Sequence, residues 1–142
     1  MSSSLSLALR GRALLAAAVI PPLLSMVSFG RLCAWLERSR RPAVPSAIDA
    51  AALAAWVDRL LYALPGPWRH TCLKRSAVLY HLLRRAGLPV ELCIGVRKES
   101  AGPLTAHAWL VREGAPYLER AESPSTTHTP IARFPERRQS AS

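Results

Sequence analysis

The sequence predicts an α+β fold: two or three helices packed on a small antiparallel sheet, with the helix that begins at Cys72 at the centre. Three observations carry this. Apolar residues recur at helical spacing as far as Ala86, and from Pro89 the period changes to that of short β-prone runs. Leu64-Pro65-Gly66-Pro67 and Gly87 end the two helical stretches before the change. Glu113-Gly114 then sits between two strand-like runs, where a tight hairpin belongs.

Residues 13–38 contain two apolar helical stretches broken by Pro21-Pro22, with Cys33 and Trp35 read as packing residues in the second. Arg10 and Arg12 precede the apolar run Ala13 to Phe29, which has the charged start and greasy middle of a signal peptide but no A-x-A-like site after it. At about 17 residues the run is marginal for a hydrocarbon core of ~30 Å. Three readings stand, in this order: a helix packed on the domain, an interfacial anchor, a spanning segment. Residues 37–45 (E-R-S-R-R-P-A-V-P) form a charged, proline-bounded linker. The organisation expected is therefore a hydrophobic N-terminal helical segment and linker over 1–43, a folded domain over 44–135 and a disordered tail over 136–142.

Ser46 followed by Asp49 reads as an N-cap with an acidic first turn. The helix after it, roughly Ala47 to Ala63, carries Ile48, Leu53, Trp56, Val57, Leu60 and Leu61 on one approximate face. Thr71 can cap the next helix, Cys72 to Ala86, which ends at Gly87 and presents an apolar surface so wide that it has to be buried. Pro89 to Val96 and Thr105 to Val111 read as strands, joined by a polar loop from Arg97 to Leu104. Y-L-E-R follows the Glu113-Gly114 turn, and Ile131 to Phe134 can supply a last edge strand.

Half of the 142 residues are hydrophobic, enough for a real core, and the formal charge is +10. A charge of that size points to an anionic partner. Seventeen Arg against two Lys are scattered along the chain, without a stripe of interleaved bases and aromatics, so nucleic acid is not the partner expected. Arg- and Ala-rich usage also matches the background of a GC-rich genome, and that is the preferred explanation of the charge. Cys33, Cys72 and Cys93 are odd in number and show no C-x-x-C or His-rich spacing, so neither a disulfide framework nor a metal or other cofactor is implied. Free thiols fit a reducing, cytoplasmic compartment, with membrane-surface association through residues 13–35 left open.

Cys72 opens a helix, and His107 lies 35 residues later on an apolar strand, within T-A-H-A-W-L-V. A thiolate nucleophile needs its pKa lowered, which a helix N-terminus does through its amides and dipole, and Lys74 and Arg75 add positive charge in the same turn. Its base is a neutral imidazole held in one tautomer by a third group. If the hairpin turns on Glu113-Gly114, His107 lies opposite Glu119 or Arg120, according to whether the loop holds two or three residues. Cross-strand neighbours on one face are ~4.5–5.5 Å apart at Cβ, within reach of an imidazole nitrogen for a carboxylate, but a slip of one residue sends Glu119 to the wrong face. Taken singly, a cysteine or histidine in apolar company is more often structural, as Cys93 is read to be. His70 and His81 read as solvated or structural, and His128 as a tail residue. Trp109 shares a face with His107, either walling the site or filling the core.

The stretch C-L-K-R-S-A-V-L-Y-H-L-L-R-R-A-G-L-P-V-E-L-C-I-G-V, followed by A-H-A-W-L and the Y-L-E strand, resembles the transglutaminase-like cysteine peptidases of lasso-peptide biosynthesis. The resemblance covers roughly residues 46–134 and extends to the hydrophobic N-terminal segment. It implies a transglutaminase/papain-like core with Cys72 as nucleophile, His107 as base and Glu119 as orienting acid, in a place where the family more usually has Asp. Trp68 and Trp109 then flank the nucleophile and base as candidate substrate contacts. The implied reaction removes the leader peptide from a ribosomally made precursor, without a cofactor. The implied partners are that precursor, a separate leader-recognition protein for which this chain has no room, and an ATP-dependent lasso cyclase. The alternative is a non-catalytic subunit that binds and delivers a peptide, which the hydrophobic N-terminus and high charge favour.

Overall fold

The computed structural model describes residues 5–26, 31, 34, 49–63, 72–98, 100–102, 104–119 and 128–134. The expectations placed on the 37–45 linker, on Cys33, Trp35, Ser46, Trp68, His70, Thr71 and Arg120, and on the tail from Pro135 lie outside them. Among the described residues the order is α1 (Leu7–Met26), α2 (Ala50–Ala63), α3 (Cys72–Arg85), then β1 (Glu91–Lys98), β2 (Leu104–Arg112), β3 (Ala115–Tyr117) and β4 (Thr129–Phe134). The strands form one antiparallel sheet in the order β3-β2-β1-β4. This is an α+β fold.

The proline pair does not break the first helix: α1 starts at Leu7 and runs through Pro21 and Pro22 to Met26, while most of the second apolar stretch lies outside the described residues. Ser6 caps it, its hydroxyl accepting the Leu9 N–H at 3.2 Å and its carbonyl the Arg10 N–H at 3.0 Å. Two prolines remove two helical donors and crowd the preceding turn. The neighbours there are the small Ala17 and Ala18, and the fully buried Pro21 gains packing that an isolated helix lacks. Ala13, Ala16, Ala17 and Ile20, spaced at three and four residues, bury one face of α1 in the main core. The N-terminal segment thus packs on the domain, and no described helix is long and apolar enough to cross a membrane.

α2 begins later than the sequence pattern indicates. Asp49 is itself the cap: its Oδ1 accepts the Ala52 N–H and its carbonyl the Leu53 N–H, both at 3.0 Å. α3 ends in a paired turn around Gly87, whose φ of 89° only glycine adopts easily. Leu88 N–H donates to Leu83 O at 3.0 Å, and Gly87 N–H to Arg84 O at 3.1 Å. Arg84 Nη1 also donates to Val90 O at 3.0 Å, fastening the end of α3 to the entry of β1.

The sheet divides its side chains by alternation. Leu92, Ala108 and Leu110 face the helices and join Leu53, Leu61, Leu79 and Leu83 in the main core, with Ile94 and Phe134 packed at its margin. Cys93, Trp109 and Val111 form a second buried cluster on the other face. Glu113 and Gly114, with φ of 54° and 80°, make the two-residue hairpin turn whose twist suits flanking strands, and set Leu110 opposite Tyr117. β4 begins at Thr129, two residues before the expected Ile131, and carries an irregularity opposite Ile94 and Gly95.

Candidate active site

Cys72 is the first residue of α3 and is half-buried, with a free thiol. The helix is held against β2 by one buried bond, in which the Ser76 hydroxyl donates to Ala108 O at 3.1 Å. That carbonyl is accessible because β3 stops at Tyr117, opposite Leu110, leaving the edge of β2 beyond it without a strand neighbour among the described residues. The end of α3 is tied to the start of β1, which pairs with the end of β2, so α3 runs alongside β2 in the same direction. Going back one turn from Ser76 to Cys72, about 6 Å of rise, therefore moves back along β2 from Ala108 to the level of Ala106 and His107. Cys72 and His107 are distant in sequence and lie on α3 and β2, the two elements that the Ser76–Ala108 bond joins.

His107 is 9% exposed. Alternation puts it on the sheet face turned away from the helices. Two rings enclose it. Trp109 stacks on it at 5.6 Å between centroids with 19° between planes, and His128 lies tilted against it at 5.1 Å. Gly95 is the partner of His107 on β1, and the Trp109 indole lies across it: a Cβ at position 95 would fall 2.6 Å from Cη2 and 2.8 Å from Cζ3. It would also fall 2.9 Å from Thr129 O, the β4 residue next to His128. Trp109 thus stacks on the histidine and also fills the second cluster.

The two-residue turn has a consequence for Glu119. Continuing its register would put Arg120, not Glu119, opposite His107, but the ladder ends at Tyr117 and Leu118 turns left-handed at φ 55°. Glu119 follows that break and is half-buried. Lys74 is half-buried in the first turn of α3, but Arg75 does not serve the thiol as a free cation. Its Nε lies 2.8 Å from Asp58 Oδ1, a largely buried pair that ties α3 to α2. Cys93 is buried inside β1, and burial pushes its thiol pKa up, with Arg133 opposing the shift. Among the described residues no group of three or more His, Cys, Asp and Glu is placed to hold a metal ion.

A family model described as the transglutaminase-like superfamily matches residues 14–133, from within α1 to the penultimate residue of β4. The chain belongs to the transglutaminase-like superfamily. No curated protein and no solved structure matches it. Transglutaminase-like folds are commonly cysteine proteases or transferases, and in this chain Cys72 starts α3 while His107 lies on β2.

The sequence pattern missed three features around His107 and the α3–β2 contact. Ser76 looks like one more small residue on a buried helix, because its partner is a backbone carbonyl 32 residues away. His128 looks like tail because β4 begins earlier than its apolar residues do. Gly95 did carry a signal: a glycine inside a strand pattern marks a close approach.

Proposed function

We propose that this chain is a cysteine peptidase that removes the leader peptide from a lasso-type precursor by acyl transfer. The observation that carries the reading is the Ser76–Ala108 bond, which ties the Cys72 helix to β2 at the residue next to His107. Cys72, as thiolate, attacks the last leader carbonyl and forms a thioester, backbone N–H groups of the first α3 turn receiving the oxyanion. His107 protonates the departing core amine and then takes a proton from the water that clears the thioester.

Glu119 is the third member of this triad. The left-handed Leu118 supports this reading: one extra residue at a strand end shifts the alternation by one, and such a shift would turn Glu119 towards the face of His107 and Trp109. Trp68 and Trp109 are the proposed substrate-side residues. His128 lies tilted against the ring of His107, 5.1 Å between centroids, and adds to its enclosure. The reaction belongs in the cytoplasm, with a separate recognition protein holding the leader and an ATP-dependent cyclase receiving the core.

The test is mass spectrometry of a neighbouring precursor peptide incubated with the full chain, with and without its recognition partner. A single cut at the leader–core junction, absent in Cys72→Ala, is the expected result. Tight peptide binding without a cut overturns it in favour of a delivery subunit, the reading that the outer face of α1 favours, since that face is apolar and uncovered.

A further inference from the structure

α1 is apolar on both sides, and only one side is used. Ala13, Ala16, Ala17 and Ile20 are buried against the domain, while the opposite side exposes Leu7 (84%), Leu14 (51%), Leu15 (65%) and Val19 (42%). Ala8, Gly11 and Ala18 fill the same outer surface, and Arg12 stands exposed at its border. From Leu7 to Val19 the surface extends about 18 Å along the helix axis. Large apolar side chains aligned on one surface, as opposed to scattered singly, mark an interaction site.

We infer that this outer face of α1 docks the domain flat on an anionic bilayer surface. Charge decides the occupant. The first acidic residue of the chain is Glu37, so no carboxylate lies in or before α1, and its charged residues are Arg10 and Arg12. The chain as a whole carries +10. Arg10 is turned inward, its guanidinium 5.3 Å over the Trp56 ring, whereas Arg12 is free to meet headgroups. A cationic body with an apolar, carboxylate-free ridge matches an interface of acyl chains and anionic headgroups, where both attractions add. No described helix can cross a bilayer, so the helix lies in the interface, with the inner side still packed on α2 and α3. The helix is thereby both a packed element of the fold and an interfacial one.

The experiment is flotation of the full chain with vesicles of phosphatidylcholine alone and of phosphatidylcholine mixed with phosphatidylglycerol, and it needs no peptidase activity. The expected result is binding to the mixed vesicles that weakens as salt is raised, and at least a roughly tenfold loss for Leu14→Glu/Leu15→Glu. Both positions are exposed, so an unchanged melting temperature shows that the variant folds. Failure of the wild type to float with anionic vesicles overturns the proposal, and so does equal binding by the variant, which would mean charge alone. A concentration-dependent dimer that the variant abolishes overturns it in favour of a second copy of the chain.

Discussion

Cys72 and Cys93 are chemically the same side chain in opposite surroundings. Cys72 is half-buried at a helix start, and Cys93 is enclosed in β1 with its thiol pKa pushed up by burial. Iodoacetamide at neutral pH is therefore expected to label Cys72 at least about tenfold faster than Cys93 in the native chain, read by peptide mass mapping. Equal rates would remove the case for an activated thiol. His107 and Glu119 are separable in the same way. His107→Ala is expected to cut turnover by about a thousandfold, since it removes the proton carrier itself. Glu119→Gln keeps a hydrogen-bonding group in place and is expected to cost less; an equal loss would mean that orienting the ring matters as much as the ring. The residue types of this site were legible in the sequence because Cys at a helix start and His on a strand are local patterns. Glu119 is legible only as one of two options, because the ladder stops at Tyr117 and Leu118 is left-handed, and nothing in the side chain of leucine announces a positive φ.

The helices are joined by a pair that the sequence pattern assigned to another task. Arg75 bonds Asp58 at 2.8 Å between α2 and α3 and is thereby withdrawn from the thiol. Asp58→Ala leaves a largely buried guanidinium without its carboxylate, and a loss of about 3 kcal/mol in urea unfolding is expected. Asp58→Asn retains an acceptor and is expected to lose less. Leu79→Ala in α3, fully buried at the centre of the main core, is expected to cost about 2–5 kcal/mol by the same measurement. Elements with a strong period were legible to within a few residues: α3 with its Gly87 stop, β1, β2 and the Glu113-Gly114 turn. α1 was not, because proline's local penalty argues for a break at Pro21-Pro22, and only tertiary burial outweighs it. Asp49 was read one turn too deep in α2 because Ser46 is an equally good cap by type.

For the whole molecule, acidity is a lever on stability through His81. Burial first, and the charge of Arg85 second, hold its pKa below the ordinary 6.5. The unfolded chain therefore binds a proton there that the folded chain resists. The contribution of His81 to stability is complete above 6.5 and is lost as the pH falls towards its folded value. The melting temperature of the wild type is expected to fall more steeply between pH 7 and about 5 than that of His81→Gln; parallel slopes would show that His81 titrates alike in both states. Gly95 bears on the molecule over a longer time than any titration. An ideal Cβ there collides with Trp109, so neither position can drift by itself: a larger residue at 95 requires a smaller one at 109, and that removes the ring on which His107 rests. The two sites form one heritable unit. Gly95→Ala and Trp109→Leu are expected to be non-additive in a double-mutant cycle, the second partly rescuing the folding defect of the first and restoring none of the chemistry.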